Sequence, residues 1–368
     1  MESTFEQYRS VYVLLEDEQS RDIYLNRLCW LISRKDRYLR NIVSAYLPGM
    51  PVLTRSYETV IADIKSTLPA DRNIVLYGAG EFAPTVLQYF EGDRRLIGFC
   101  SRTKTKQKNG YLGYPVMSPE ELLSRKDLSV ILSVALEKPK NEIKQVLREG
   151  RYPTDQIYEI PRIPYSLESG QYFNPDFIKL GENEVFIDAG CLNLGTSLEF
   201  MRRCKGLKKV YAFEPDPDNY RVCLERKNRR ELQDAEVKLL PFGVWSERTT
   251  LYFKPGNVGA SKISENGSVS VPVVPVDEAV DPADKITMIK MDIEGSELEA
   301  LKGAKKTIQR DKPKLAICIY HKPEDMTDIP LYIKELVPEY KLYIRHHSNF
   351  STETVLYAVM PEPLKKEG

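Results

Sequence analysis

The sequence predicts an α/β protein with two open, mostly parallel sheets. The larger is a doubly wound sheet of seven strands whose last two strands form an antiparallel hairpin. Three observations carry this. Over residues 181–361, short runs rich in Val, Ile, Leu and Phe recur, and the early ones alternate with helix-spaced stretches, the pattern of right-handed crossovers in a parallel sheet. The run Val185-Phe186-Ile187-Asp188-Ala189-Gly190 ends in an acid and a glycine turn and then opens a helix. The last two apolar runs are separated only by the polar stretch 348–353, too short for a parallel crossover, so that pair must be antiparallel.

The elements follow in chain order. Residues 1–70 form a helical N-terminal extension: Val11, Leu14, Leu15, Ile23, Tyr24, Leu28 and Leu31 recur at helix spacing. Pro48-Gly49 interrupts it, and Tyr57, Val60, Ile61 and Ile64 start another helix. Such faces serve packing or contacts with a second copy of the chain, so a homodimer is the assembly the sequence allows. Residues 71–160 form a small Rossmann-like α/β domain with strands at 73–77, 96–100 and 130–134. Residues 161–180 form a linker punctuated by Pro161, Pro164 and Pro175; its aromatics Tyr165, Tyr172, Phe173 and Phe177 are read as packing where the two domains meet, with covering the cofactor as the lesser reading. Residues 181–368 form the larger domain, with strands at 185–189, 210–214, 237–244, 286–292, 315–320, 342–346 and 355–360 and helices at 196–203 and 219–230. Between Val244 and Ile286 lies an insertion with strand-like runs at 250–253 and 269–276, joined by a Gly-rich loop, 255–261, that is a candidate lid.

Composition narrows the function. The chain has 368 residues, 42% hydrophobic and 29% charged, the profile of an ordinary globular protein. Lys plus Arg equals Asp plus Glu at 53 each, which argues against a chain-wide attraction to nucleic acid. No apolar run reaches the ~20 residues that span a bilayer. The opening residues lack a basic region and an apolar stretch, so no secretory signal is read and the expected location is the cytoplasm. The six cysteines form no C-x-x-C pair and read as reduced, buried thiols.

Both domains carry a strand, a glycine turn and a helix. In the smaller, Gly78-Ala79-Gly80-Glu81-Phe82-Ala83 is a G-x-G-x-x-A turn. A nicotinamide site needs an acid at the end of the second strand for the ribose; here stand Ser101, Arg102 and a basic run from Lys104 to Lys108. The domain reads either as a nucleotide site, with Arg102 and Lys104 the contacts for a phosphorylated ligand, or as a non-catalytic docking module. In the larger, Gly190 and Gly195 are separated by four residues, so the tight pyrophosphate turn is missing. The second strand ends in Glu214. A ribose acid without a phosphate turn suits a cofactor with a nucleoside and no pyrophosphate, and S-adenosylmethionine is such a cofactor.

The motifs then resemble a known family. Asp188-Ala-Gly-Cys-Leu-Asn-Leu-Gly-Thr-Ser197, Phe213-Glu214-Pro215, Lys290-Met-Asp-Ile-Glu-Gly-Ser-Glu297 with Leu301-Lys-Gly-Ala304, Ile319-Tyr320-His321, and Tyr343-Ile-Arg-His-His347 with Glu353-Thr-Val-Leu-Tyr357 together resemble the FkbM family of S-adenosylmethionine-dependent methyltransferases. The resemblance covers about half the chain, with Cys191-Leu192 replacing the small residues more usual in the first motif. It implies the class I methyltransferase sheet and O-methyl transfer to a hydroxyl of a sugar, glycan or secondary metabolite.

Candidate site residues follow. Asp188, Gly190, Asn193, Gly195 and Glu214 are read as cofactor-binding, with Asp292 shared. Asp188 has the alternative of capping its loop, and Asn193 of serving the turn. Asp292 and Glu294 are placed on one face of the fourth strand by period-two pleating, with Lys290 on the same face to pair with them. Either acid has the alternative of capping the helix begun by Ser296-Glu-Leu-Glu299, a capping-box pattern. His321 closes the fifth strand and, helped by Asp292, is the candidate base, because an imidazole titrates near neutral pH. Lys290 and Glu294 complete the candidate catalytic set. His346 and His347 point to opposite faces, so at most one reaches the cleft. Asp292, Glu294 and His321 are the set that could hold a divalent ion, but no spacing is diagnostic and no metal is assigned. Two other functions stay open: an NAD(P)-dependent sugar-modifying enzyme using the Gly78 loop, and a non-catalytic S-adenosylmethionine-binding protein.

Overall fold

A computed structural model describes residues 4–50, 57–80, 82–161, 165–228, 236–253 and 269–362. The chain divides into two compact units, one of Met1–Leu31, Asn41–Met50 and Ser166–Gly368, the other of Ile32–Arg40 and Pro51–Tyr165.

The larger unit is built on seven strands: β1 (Glu184–Ala189), β2 (Leu207–Phe213), β3 (Glu236–Leu240), β4 (Met288–Met291), β5 (Lys314–Cys318), β6 (Lys341–His346) and β7 (Thr354–Val359). Their order across the sheet is β6-β7-β5-β4-β1-β2-β3. The pairs from β5 to β3 are parallel, whereas β7 runs antiparallel to both β5 and β6. This is the doubly wound sheet with a closing hairpin that the sequence predicts. Every residue of β1, β4 and β7 is buried, as expected for strands covered on both faces. On one face Phe186 stacks on Phe200 with centroids 4.3 Å apart, and Phe173 packs edge-on against both. Phe173, with Tyr172 and Ile178, comes from the stretch read as a linker, and these three residues belong to the core.

Strand register sets the site. Asp188 lies opposite Lys290, and Ala189 opposite both Met291 and Phe213. The carboxyl ends of β1, β2 and β4 therefore stand level, with β5 beside them, which is where ligands bind in open α/β sheets.

Three local readings are corrected. The run at 237–244 breaks after Leu240, because Pro241 has no N–H for the ladder. Gly243–Val244 instead joins a three-stranded sheet with Thr249–Phe253 and Val269–Val274. The fourth strand ends at Met291, so Asp292 and Glu294 lie beyond the pleat, and Glu294 has φ 59°. Ser296 makes no side-chain cap at the helix Glu297–Gly303; its expected box partner Glu299 is the third residue of that helix, and Glu297 turns the other way. The end of the helix predicted at 219–230 and the lid loop 255–261 lie outside the described residues.

The N-terminal segment of this unit is anchored to the hairpin edge. Arg345 makes a two-pronged contact with Asp17 at 2.6 and 3.2 Å, and Ser20 Oγ accepts the backbone N–H of Ile344 at 2.9 Å. The smaller unit carries five parallel strands in the order Val116–Met117, Leu96–Cys100, Ile74–Tyr77, Ser129–Leu132, Ile157–Glu159. Its core gathers Tyr77, Cys100, Leu122, Val130, Leu132 and Leu147. Among the described residues no helix is long and apolar enough to cross a membrane, and all six cysteines are free thiols.

Candidate functional site

The loop after β1 is held from below and from the side. Gly190 has φ +74°, and a Cβ there would sit 2.1 Å from the Asp292 carbonyl. Backbone meets backbone at that point, so only glycine fits. Leu192 and Leu194 also take positive φ, 53° and 61°, conformations that a surrounding structure must enforce. The enforcement is visible. Asp188, fully buried, accepts from Ser197 Oγ at 2.8 Å and stands 3.3 Å from Lys290 Nζ. Lys290 donates to the carbonyls of Ala189 and Gly190 at 3.2 and 2.8 Å. Burial works against its charge, but the Asp188 and Asp292 carboxylates outweigh it and raise the ammonium pKa. The ammonium is thus committed to the loop and to the acid beneath it. Lys290 meets Asp188 by strand register and holds the glycine turn.

Asn193 Oδ1 accepts from Gly195 N and from Arg226 Nη1, both at 2.9 Å, and a Cβ on Gly195 would meet that oxygen at 2.8 Å. Glu214, past the end of β2, accepts from Leu192 N at 2.9 Å and Asp216 N at 3.0 Å. Burial raises its pKa. The Asn219 side chain also hydrogen-bonds this carboxylate; a carboxylate at this place has the two oxygens that a vicinal diol requires.

A second cluster stands past β4 and β5. Asp292 accepts from Tyr172 Oη at 2.9 Å and Tyr320 Oη at 3.1 Å. Burial would raise its pKa, but Lys290 and His321 pull it below the usual carboxylate range. His321 Nε2 lies 3.4 Å from Asp292 and 3.5 Å from Glu294, and its Nδ1 lies 3.0 Å from Glu297 Oε1. Burial opposes the imidazolium, yet the Glu297, Asp292 and Glu294 carboxylates prevail and raise the ring's pKa to about 9. At neutral pH in this structure His321 is therefore charged, rather than poised as a neutral ring. Glu294 is half-exposed, and burial raises its pKa.

Sequence reasoning missed Glu297, Tyr172, Tyr320 and Asp325. Glu297 is fully buried and accepts from Ile293 N at 2.9 Å. It belongs to the motif that begins at Lys290, where it was read only as part of a cap. The convergent metal-type set is accordingly Asp292, Glu297 and His321, with ligand atoms within 4.8 Å of one another, in place of Asp292, Glu294 and His321. Asp325, whose pKa burial raises to about 7, accepts from Lys322 N at 3.0 Å. Tyr172 arrives from 120 residues away in sequence, and no local pattern announces it. His346 and His347 serve elsewhere. His346 Nδ1 is 2.8 Å from Thr354 Oγ1, and His347 lies between Glu168 and Tyr357 at 2.6 and 2.8 Å.

The glycine loop of the smaller unit is closed by its own chain. Gly78 O accepts from Ser133 Oγ at 2.7 Å, Ala79 O from Lys106 Nζ, and Gly80 O from Tyr111 Oη at 2.9 Å. A Cβ on Gly78 would lie 2.4 Å from Val134 Cγ2, so packing alone explains that glycine. Arg102 faces Glu142 at 3.4 Å.

Comparison with known proteins agrees with the larger unit. Residues 189–343 match the family model of the methyltransferase FkbM domain. A relative, the hexuronic acid methyltransferase AglP of Haloferax volcanii, is 32% identical over 133 residues, 35% of this chain and 53% of the relative. The chain thus spans about half the length of the curated relative it matches. Among solved structures, methyltransferase FkbM from Methylobacillus flagellatus KT is similar over 88% of this chain and 98% of its own, with a TM-score of 0.47 and 20% identity. A putative methyltransferase from Streptococcus mutans in complex with SAH is similar over 49% of this chain and 91% of its own, with a TM-score of 0.32 and 14% identity.

Proposed function

From the premise that residues 189–343 match the methyltransferase FkbM domain, we propose that the protein is an S-adenosylmethionine-dependent O-methyltransferase. Its acceptor is a hydroxyl of a sugar or glycan, and a hexuronic acid unit is the acceptor class suggested by the name of the Haloferax volcanii relative. The observation that carries the reading is the set of acids at the carboxyl ends of adjacent parallel strands, Asp188 within β1 and Glu214 and Asp292 just past β2 and β4, around a loop that only glycine can close.

The residues fit the cofactor by their chemistry. Glu214 offers two carboxylate oxygens to a ribose diol. Asp188 and Lys290 hold the loop so that Asn193 and Gly195 present one fixed backbone. Acids without an anion-binding turn suit a cationic sulfonium. When bound, S-adenosylmethionine supplies a methyl group on positively charged sulfur, displaced in line by the acceptor oxygen. The chain's task is to place that oxygen, exclude water and receive its proton; positioning is the largest contribution. Asp292 and His321 stand past neighbouring strands and define the acceptor side. The hydroxyl proton passes to this carboxylate–imidazole cluster, of which Glu294 is the exposed member. The Gly78 loop takes no part in redox chemistry.

The test is calorimetric titration with S-adenosylhomocysteine alongside methyl transfer from labelled donor to a panel of uronic acids, neutral sugars and glycans. Binding and transfer to a carbohydrate hydroxyl are expected. Glu214→Ala should weaken binding by ~1.5–3 kcal/mol, the range for hydrogen bonds to a charged group. Unchanged affinity in that variant would remove the ribose assignment, and binding without transfer to any acceptor would favour a non-catalytic role.

A further inference from the structure

We propose that Asp292, Glu297 and His321 form a binding site for one divalent first-row cation. One oxygen of each acid and one ring nitrogen lie within 4.8 Å of one another, close enough for a single ion with bonds of ~2.0–2.3 Å to reach all three. The side chains themselves ask for such a partner. Glu297 is 0% exposed, and its Oε2 has no hydrogen-bond partner. The His321 side chain is only 9% exposed, and although carboxylates lie within 3.5 Å, neither ring nitrogen is in hydrogen-bond geometry with any of them. A buried carboxylate oxygen and two buried nitrogens without directed partners are rare in a finished fold.

Charge and support point the same way. Three carboxylates, Asp292, Glu294 and Glu297, face one imidazole. The Lys290 ammonium is committed to Asp188 and two carbonyls, and Lys322 is turned to Gly295 O. Even with the imidazolium counted, three carboxylates leave an excess of negative charge, and a divalent cation that displaces a ring proton compensates it. The two acid ligands are already oriented by outer partners, Tyr172 and Tyr320 on Asp292 and Ile293 N on Glu297, as supporting groups orient metal ligands. Two carboxylates with one imidazole suit Mn²⁺ better than Ca²⁺ or Mg²⁺, which favour all-oxygen cages.

The purpose of the ion rests on the methyl-transfer reading. An acceptor hydroxyl that joins the cation becomes more acidic. Its proton passes to Glu294, which stays outside the ligand set, as the oxygen attacks the methyl carbon. The C–O bond forms, the C–S bond breaks with its electron pair left on sulfur, and the cation keeps its oxidation state.

The test is titration of the full chain with Mn²⁺, read as loss of the free-ion electron paramagnetic resonance signal. One ion per chain is expected, with affinity at least ~10-fold weaker in Glu297→Gln and His321→Gln, the low end of losses seen around metal sites. Wild-type protein that binds no Mn²⁺ at millimolar concentration, or binding that both variants retain, overturns the site. If either variant fails to fold by circular dichroism, the wild type decides. The chain has three histidines, and Mn²⁺ should broaden the His321 ring resonances before those of His346 and His347; the reverse order, or no broadening, overturns it. S-adenosylhomocysteine binding measured without Mn²⁺ judges the methyltransferase reading separately.

Discussion

The two glycine loops of this protein start from the same local grammar and end differently. Each follows a buried strand, Ile74–Tyr77 or Glu184–Ala189, and each carries a glycine at positive φ. In the smaller unit the three loop carbonyls are capped by Ser133, Lys106 and Tyr111, and the neighbouring strand ends in Ser101-Arg102. In the larger unit the loop is tied by Lys290 beneath and Glu214 beside it, and acids remain past three adjacent strands. A strand, a glycine turn and a helix are thus a scaffold. What makes one a site is which residues the neighbouring strands bring to it.

That contrast can be broken or sharpened by experiment. The largest effect is expected beneath the active loop. Asp188→Asn removes the carboxylate paired with the buried Lys290 ammonium and leaves Asp292 alone to offset it; removing one partner of a buried pair costs ~3–5 kcal/mol. The matching change in the other loop, Ser133→Ala, removes one hydroxyl donor to Gly78 O and should cost ~1 kcal/mol. Urea denaturation of both variants checks this; equal losses would mean that Lys290 is not the clamp we describe.

Next comes turnover. His321→Ala removes the ring that Asp292, Glu294 and Glu297 gather around, and the misplaced carboxylates should slow single-turnover methyl transfer by ~10²-fold while S-adenosylhomocysteine affinity changes little. Parent-like transfer would place the chemistry elsewhere, and loss of cofactor binding would make His321 a structural residue.

The glycines themselves give a smaller, cleaner comparison. Gly190→Ala forces a left-handed backbone costing ~1–2 kcal/mol, before the collision with Asp292 O is counted. A Cβ on Gly80 would meet nothing within 4 Å, and the backbone there is not left-handed, so Gly80→Ala should stay within ~0.5 kcal/mol of the parent. Melting curves that rank the two in the opposite order would contradict the packing described here.

The smallest expected signal is none at all. Titration with NAD or NADP should give neither tight binding nor hydride transfer, since no acid ends the second strand of the smaller sheet. Tight binding accompanied by hydride transfer would revive the redox reading of Gly78-Ala79-Gly80.

Much of the fold was legible because it depends on local repetition. Runs such as 185–189 and 355–360 are largely apolar, and strands buried on both faces need little else. The boundaries that failed did so for local reasons with long-range consequences: Pro241 ended a ladder, and the turn at Glu294-Gly295 took the chain off the pleat. The candidate site was legible where an acid falls at or near a strand end, as at Asp188, Glu214 and Asp292. It was not legible at Tyr172, a residue of the stretch read as a linker, or at Glu297, whose capping pattern offered a sufficient local explanation.

The sequence by itself determined the alternation of strand and helix, the closing hairpin, the glycine at Gly190 and the acids at the strand ends, because these follow from backbone sterics, side-chain period and connection length. Only the tertiary structure decided that Lys290 clamps Asp188 and two carbonyls, that Glu297 and two tyrosines converge around Asp292 and His321, and that the Gly78 loop is filled by its own chain. Those outcomes depend on strand register and on contacts between residues far apart in sequence, where burial and paired charge, rather than any local pattern, select one arrangement.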